Sequence, residues 1–329
     1  MYKVALLEAE HWHVLGHLGA IKTFPNVQVV AMSGNGEFTK KISKDLGVKL
    51  YPNYIELLNN EKDLDFVYIF GIYKESPTII DECITRGIPF IADKPCCEEA
   101  DQLIPVLKHL EETGLKHCVA LQRRYAQIVQ KYKNFVRQKA SEGGVHIVLR
   151  YITGTPQRYE DMGFPWANKK EIARGGATLN LAVHYIDLVH YLTDDEIVDA
   201  QGIINCNIWN IGLDDYGAIL LKTRKGHTAV IEVGYTKSGY PQEDFIVSGK
   251  NFYLTGTAAQ KMQLYGLKEN GDKRGELLEE EDFPDIQFFD KCLGSMLDHL
   301  EGKGEPAAQL RDVYNAVKFV SKVYKDNNF

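Results

Sequence analysis

Over the first 120 residues, short apolar runs at 4–7, 27–31, 66–70, 89–92 and 116–121 alternate with helix-spaced stretches at 14–23, 38–46, 76–85 and 98–113. Few folds accept that order. Strands buried on both faces read as continuous apolar runs, and a helix between each pair carries the chain back to a parallel neighbour. The expected fold class is therefore α/β, with an amino-terminal Rossmann-type, doubly wound parallel sheet that binds ligands at the carboxyl ends of its strands.

The pattern changes beyond residue 122. A helix is expected over 126–139, a turn at Ser141-Glu142-Gly143-Gly144, and a half-buried strand over 145–153. A helix with the apolar stripe Leu179, Val183, Ile186 and Val189 follows. Strand-like runs at 198–206, 216–223, 227–234, 245–249 and 251–255 come in succession without helices, which implies an open, mainly antiparallel sheet in a carboxy-terminal α+β domain. The charged stretch 268–282 reads as a solvated loop or hairpin, and a last helix is expected over about 308–324. The expected domains are 1–122 and 123–329, with the last helix packing on either. An open sheet with one bare face predicts a homodimer or homotetramer through that sheet.

Composition excludes several classes. The 329 residues carry a net charge of −7, which repels phosphate backbones, so no nucleic-acid partner is expected. No apolar run reaches membrane-spanning length, so no membrane association is expected. The start lacks signal-peptide features, and six scattered cysteines show no paired metal spacing; both suit a cytoplasmic chain with buried thiols.

Four stretches carry candidate chemistry. "IADKPCC" (91–97) places Asp93 and Lys94 at a strand end, where Pro95 forces the chain to turn. A lysine beside a positive nicotinamide would have a lowered pKa and could shuttle a proton. "GGATLNLAVHYIDLVHYL" (175–192) spaces Asn180, His184 and Asp187 along one helix face, with His184 able to exchange a proton near neutrality. "ALQRRYAQ" (120–127) brings Gln122 to a strand end, with Arg123 and Arg124 able to bind anions or pair with surface carboxylates. In the fourth, Ser33-Gly34-Asn35-Gly36 follows the second strand, where an acidic residue would select NAD; small polar groups near Lys40 and Lys41 lean toward NADP instead.

Together these features resemble the glucose–fructose oxidoreductase and inositol dehydrogenase family, Gfo/Idh/MocA, across nearly the whole chain. The resemblance rests on Asp93-Lys94-Pro95 (Glu-Lys-Pro in the family), Gln122-Arg123-Arg124-Tyr125, Gly175-Gly176 leading to His184 and Asp187, and the stretch from Phe288 to Asp326. It implies an NAD(P)-dependent oxidoreductase moving hydride between the cofactor and a sugar- or polyol-like alcohol or ketone. It assigns catalysis to Lys94, His184 and Asn180, and substrate contacts to Arg124, Trp166, Asn180 and Asp187. Cofactor contacts would come from Ala9, Glu10, His11, Trp12, Ser33, Gly34, Asn35, Gly71, Ile72, Asp93, Lys94 and Gln122. A carbohydrate-like small molecule is the implied partner.

Three positions depart from the family's pattern. Glu8, Glu10 and His13 stand where Gly-x-Gly-x-x-Gly would put glycines, Ile72–Ser76 replaces Pro-Asn-x-x-His, and Asn180 replaces an aspartate. The first turn, "LEAEHWHVLGH", then has three readings. Its histidines could donate ring N–H groups to phosphate, the turn could bind no dinucleotide, or His13 and His17, which share a helix face, could ligate a metal. Two ligands rarely make a site and no third is evident, so no metal is expected. The alternative to an enzyme is a non-catalytic sugar-binding or scaffold protein without its cofactor; a third option keeps a tightly held cofactor for elimination or hydrolysis.

Overall fold

The computed structural model describes residues 1–236, 241–257, 261–267, 275–283 and 288–329. The chain divides into two compact units. The first comprises Met1–Gln122, Gln157–Arg174 and Gln287–Val317, and the second comprises Arg123–Pro156, Gly175–Ile286 and Lys318–Phe329. Residues 157–174 and 287–317, expected in the second domain, thus belong to the first unit.

The first unit runs β1 (Tyr2–Leu7), α1 (Val14–Thr23), β2 (Val27–Ser33), α2 (Glu37–Leu46), β3 (Lys49–Tyr51), α3 (Tyr54–Asn60), β4 (Phe66–Ile69), α4 (Ser76–Thr85), β5 (Phe90–Ala92), α5 (Ile104–Thr113) and β6 (His117–Val119). All strand pairs are parallel, in the order β3-β2-β1-β4-β5-β6. This is the doubly wound order, with its switch point between β1 and β4. Val4–Leu7 and Phe66–Ile69 are buried, as central strands of such a sheet must be.

The second unit contributes α6 (Gln127–Glu142) and β7 (His146–Ile152). The short α7 (Gln157–Asp161) and α8 (Lys170–Ala173) that follow belong to the first unit, and the chain returns to the second with α9 (Val183–Thr193). Seven strands complete it: β8 (Ile197–Asn205), β9 (Tyr216–Thr223), β10 (Thr228–Gly234), β11 (Gln242–Gly249), β12 (Phe252–Thr257), β13 (Lys261–Leu267) and β14 (Gly275–Asp282). Their order is β14-β13-β12-β11-β7-β10-β9-β8, antiparallel except for β7 with β10. Of the charged stretch 268–282, Gly275–Asp282 is a strand paired antiparallel with β13, and residues 268–274 lie outside the described residues. α10 (Phe288–Leu300) packs on α1 in the first unit, where the Phe289 ring lies so close to Gly16 that a Cβ there would stand 2.3 Å from it. α11 (Leu310–Asp326) begins in the first unit and ends in the second.

Two imidazoles, His117 half-buried and His227 buried, tie loops to these sheets. His117 Nδ1 bonds the Leu115 carbonyl at 3.0 Å, while its Nε2 accepts the Leu310 N–H at 3.3 Å. His227 Nδ1 accepts the Val145 N–H at 3.3 Å. Burial holds both imidazoles below their ordinary value. The unfolded chain therefore takes up protons at these sites below about pH 6.5 where the folded chain does not, so stability falls on acidification through that value. We expect the urea midpoint to be lower at pH 5.5 than at 7.5, and the difference to shrink in His117→Gln and His227→Gln. A difference unchanged in both variants would contradict this assignment.

Candidate active site

The first turn, between β1 and α1, is held by side chains where glycines would otherwise stand. Glu8 adopts the left-handed conformation, φ 48°, uncommon for a residue with a Cβ. Its compensation is local: its N–H donates to Ser33 Oγ at 2.9 Å, and its Oε1 accepts the Tyr54 N–H at 2.6 Å and the Ser33 hydroxyl at 3.1 Å. Burial nevertheless pushes the Glu8 carboxyl up, against the lowering by those hydrogen bonds. Glu10 reaches in the same direction, with Oε1 accepting the Gly36 N–H at 2.6 Å. A Cβ on Gly36 would stand 2.1 Å from Glu10 Oε2, so a side chain there would displace the Glu10 carboxylate. The Glu10 carboxylate thus ends at the turn after β2, and that of Glu8 lies between Ser33, the last residue of β2, and the Tyr54 N–H that opens α3.

Trp12 follows, stacked on His11 at 3.9 Å between ring centroids and on Trp166 at 5.8 Å. Trp166 Nε1 donates to the Glu10 carbonyl at 2.9 Å, and Tyr159 packs 4.4 Å from Trp12. Residues 157–174 therefore belong with the first turn because they bury its indole.

The three histidines of the turn face one carboxylate. Asp93, just past β5, places both oxygens near His13 Nδ1, at 3.0 and 2.9 Å. His17 Nε2 lies 3.5 Å from Asp93 Oδ2, and His11 Nδ1 lies 4.0 Å from it. Gln122 Nε2 stands 3.3 Å from His13 Nδ1. His11, His17 and Asp93 are buried, whereas 18% of the His13 side chain is exposed, so His13 is the member that solvent reaches. Burial keeps His11 well below, and His13 below, the ordinary imidazole value. Burial opposes ionisation of Asp93, but the His13 and His11 rings outweigh it and hold the carboxyl well below its ordinary range. Lys94, next in the chain, is buried, with 3% of its surface exposed. At the end of β4, the Gly71 carbonyl accepts the Ser76 hydroxyl at 3.0 Å, and a Cβ on Gly71 would meet Ile79 at 2.6 Å; Ile72 caps the same turn, accepting the Ser76 N–H.

In the second unit a buried carboxylate shapes the entry to α9. Asp214 accepts the Gly176 and Thr178 N–H groups at 2.7 and 2.6 Å and the Tyr324 hydroxyl at 2.7 Å. A Cβ on Gly176 would stand 2.0 Å from the Asp214 carbonyl oxygen. The chain then makes one π-helical turn, Thr178–Ala182, before α9; such turns recur at functional sites. Asn180 lies in it and donates to Tyr235 Oη at 2.7 Å. His184 follows, buried, in the first turn of α9. Asp187 holds Arg124 in a two-pronged pair, 2.6 Å at each contact, and the guanidinium lies 4.5 Å over the Tyr191 ring. Arg123 pairs with Glu243 at 2.9 Å, and Glu243 also accepts the Tyr185 hydroxyl.

The expected cofactor residues Ala9, Glu10, His11, Trp12, Ser33, Gly34, Asn35, Gly71, Ile72, Asp93, Lys94 and Gln122 all fall in the first unit. Trp166, expected to meet substrate, falls there too, against the first turn. Asn180, His184, Asp187 and Arg124 fall in the second unit. Sequence reasoning missed Asp93 as the partner of the histidines. The usable signal was a double departure, a histidine, His13, in place of a glycine together with aspartate in place of the family's glutamate.

Residues 129–255 match the family profile described as "GFO/IDH/MocA C-terminal domain". Over this stretch the chain is similar to the Gfo/Idh/MocA family. Curated relatives include the trans-1,2-dihydrobenzene-1,2-diol dehydrogenases of Xenopus laevis and Xenopus tropicalis, each 25% identical over 219 residues, covering 64% of this chain. The chain spans 63% of the length of these relatives. Among solved structures, the WlbA dehydrogenase of Bordetella pertussis in complex with NADH and UDP-GlcNAcA is similar with a TM-score of 0.82 at 19% identity, over 99% of this chain and 96% of that one. A levoglucosan dehydrogenase in complex with NADH gives a TM-score of 0.83 at 15% identity, over 99% and 98%. At such identities these structures establish the fold alone, a parallel-sheet unit and a mixed-sheet unit.

Proposed function

We propose that this protein is an oxidoreductase that converts a CH–OH group of a carbohydrate-like substrate to a ketone, or the reverse, with a nicotinamide dinucleotide. The observation that carries the reading is Lys94, an amine kept buried past β5 at the carboxyl edge of a doubly wound sheet, in a chain similar to this family. A buried lysine has a cost in desolvation that a structural role rarely justifies, and sites that tune an amine toward neutrality are commonly catalytic.

The residues present fit the dinucleotide at its ribose end. Glu10 brings a carboxylate to the turn after β2, and Glu8 one to Ser33 at the end of that strand, the edge where an acidic residue accepts ribose hydroxyls. The same carboxylates repel a 2′-phosphate, and Lys40 is paired with Glu37 at 2.7 Å. This argues against the expected lean to NADP and favours NAD(H). When bound, the dinucleotide accepts or delivers hydride at the substrate carbon. The chain supplies the rest: Lys94 and His184 hold or move the proton of the substrate oxygen, and Asn180, which cannot take a proton, orients substrate through its amide. Titration of protein fluorescence with each cofactor tests the reading. NADH should bind at least about tenfold tighter than NADPH, and Glu10→Gln should narrow that gap. A tenfold preference is about 1.4 kcal/mol, less than the interaction of two charges near 4 Å at a surface-like dielectric.

A second reading is favoured by the first turn itself. Its N–H groups are spent internally, Glu10 on the Glu8 carbonyl and His13 on His11 Nδ1, and Trp12 is covered by Trp166. A turn so filled suits a family member that binds sugars without a dinucleotide. Absence of binding by either cofactor at about millimolar concentration would select it.

We also propose self-association through the large sheet. Ile203 on β8 and Leu220 on β9 are 73% and 57% exposed, unusual for apolar residues on neighbouring strands. Sedimentation should show a homodimer or homotetramer, and Leu220→Glu should shift it toward monomer.

A further inference from the structure

We propose that His11, His13, His17 and Asp93 form a binding site for one divalent transition-metal ion of the zinc class. The donors are grouped as such an ion requires. Around Asp93 Oδ2 stand His13 Nδ1 at 2.9 Å, His17 Nε2 at 3.5 Å and His11 Nδ1 at 4.0 Å. The ligand atoms of His11, His13 and Asp93 all lie within 4.8 Å of one another. A four-coordinate ion with bonds of about 2.0–2.1 Å holds its ligands roughly 3.3 Å apart, and the three separations from the carboxylate fall on both sides of that value.

Hydrogen bonding alone does not satisfy the cluster. Asp93 offers two oxygens, and His13 Nδ1 lies within 3.0 Å of both. His17 Nε2 stands beyond ordinary hydrogen-bond range at 3.5 Å. Both ring nitrogens of His17 and Nε2 of His11 are buried without a hydrogen-bond partner, which native interiors rarely tolerate. A cation among these rings gives the lone pairs a common acceptor. Three imidazoles and one carboxylate suit zinc, cobalt or nickel, whereas magnesium and calcium prefer sets made of oxygen. Uptake exchanges two contacts for metal bonds: the His13–Asp93 hydrogen bond, and the His13 N–H donated to His11 Nδ1 at 3.1 Å. The Lys94 ammonium acts on the same rings and works against a cation. His11, His13 and Asp93 are the three ligands within mutual reach, with His17 beside the carboxylate as the fourth, and the site joins the turn after β1 to the end of β5.

The test needs neither substrate nor dinucleotide, so its failure leaves the proposed activity standing. Protein purified with its affinity tag removed is analysed for bound metals, then stripped with a chelator and titrated with Co(II). About one equivalent of metal per chain is expected, together with the intense visible ligand-field bands of four-coordinate cobalt with nitrogen and oxygen ligands. Asp93→Asn and His13→Gln, checked for folding by circular dichroism, should weaken cobalt binding at least about 100-fold, beyond the loss seen when only an outer-shell partner is removed. The wild-type cobalt spectrum reads the ligand set even where a variant fails to fold. No retained metal and no cobalt bands at about millimolar Co(II) would overturn the proposal. So would a weak six-coordinate spectrum in the wild type that Asp93→Asn leaves unchanged.

Discussion

Replacing Arg124 by alanine should destabilise the protein by about 3–5 kcal/mol. The guanidinium and the Asp187 carboxylate are 6% and 2% exposed and meet at two contacts of 2.6 Å. Burying two charges is costly, and their mutual attraction offsets that cost only while both are present. Alanine leaves the Asp187 charge deep in the second unit with its main partner gone, and it removes the cation from the face of Tyr191. For a unit of this size the melting temperature should fall by roughly 10 °C. Arg124→Lys should recover little, because an ammonium cannot make the paired contacts of a planar guanidinium. Arg124→Met combined with Asp187→Leu should recover much of the loss, since the orphaned charge is then absent. Differential scanning calorimetry checks all three. A change below about 2 °C in Arg124→Ala would show that the pair contributes little.

The second large effect concerns Lys94. Once turnover is detected with NADH or NAD and an alcohol or ketone of the proposed class, Lys94→Met should lower kcat by about 10²–10⁴-fold, the usual contribution of a positioned acid or base. NADH affinity should change much less, because the lysine is assigned to the substrate oxygen. Removal of Lys94 should also flatten one limb of the pH–rate profile. Unchanged turnover in Lys94→Met would take the lysine out of the reaction and return weight to the cofactor-free reading.

The parallel sheet was legible because burial on both faces forces long apolar runs, and four of its helices carry clear periodicity. What escaped reading were pieces too short to show a period. β3 has three residues, and α3 has seven, opened by Asn53 accepting the Glu56 N–H at 2.9 Å. The parallel pairing of β7 with β10 was invisible for a different reason: one strand's alternation does not reveal its neighbour's direction. At the site, Lys94 and Asp93 were found by position at a strand end, a local signal. The convergence of His11, His13 and His17 on Asp93 joins residues about 80 apart in sequence, and spacing says nothing about such pairs. Likewise the sequence places Glu10 at a family glycine position but does not show that its carboxylate accepts the Gly36 N–H. Trp166 was assigned by its place in the chain, whereas its indole belongs to the first turn.

The first unit is assembled from three separate stretches, and this governs its birth on the ribosome. Tyr2 bonds Glu301, Lys116 bonds the Leu300 carbonyl, and Phe289 fills the hollow at Gly16. The earliest strand to be synthesised must wait for nearly the last helix before its module is sealed. An expression fragment cut at residue 122 would leave the α1 surface bare and prone to clumping, and chaperone protection of the nascent amino-terminal half becomes a requirement written into the topology.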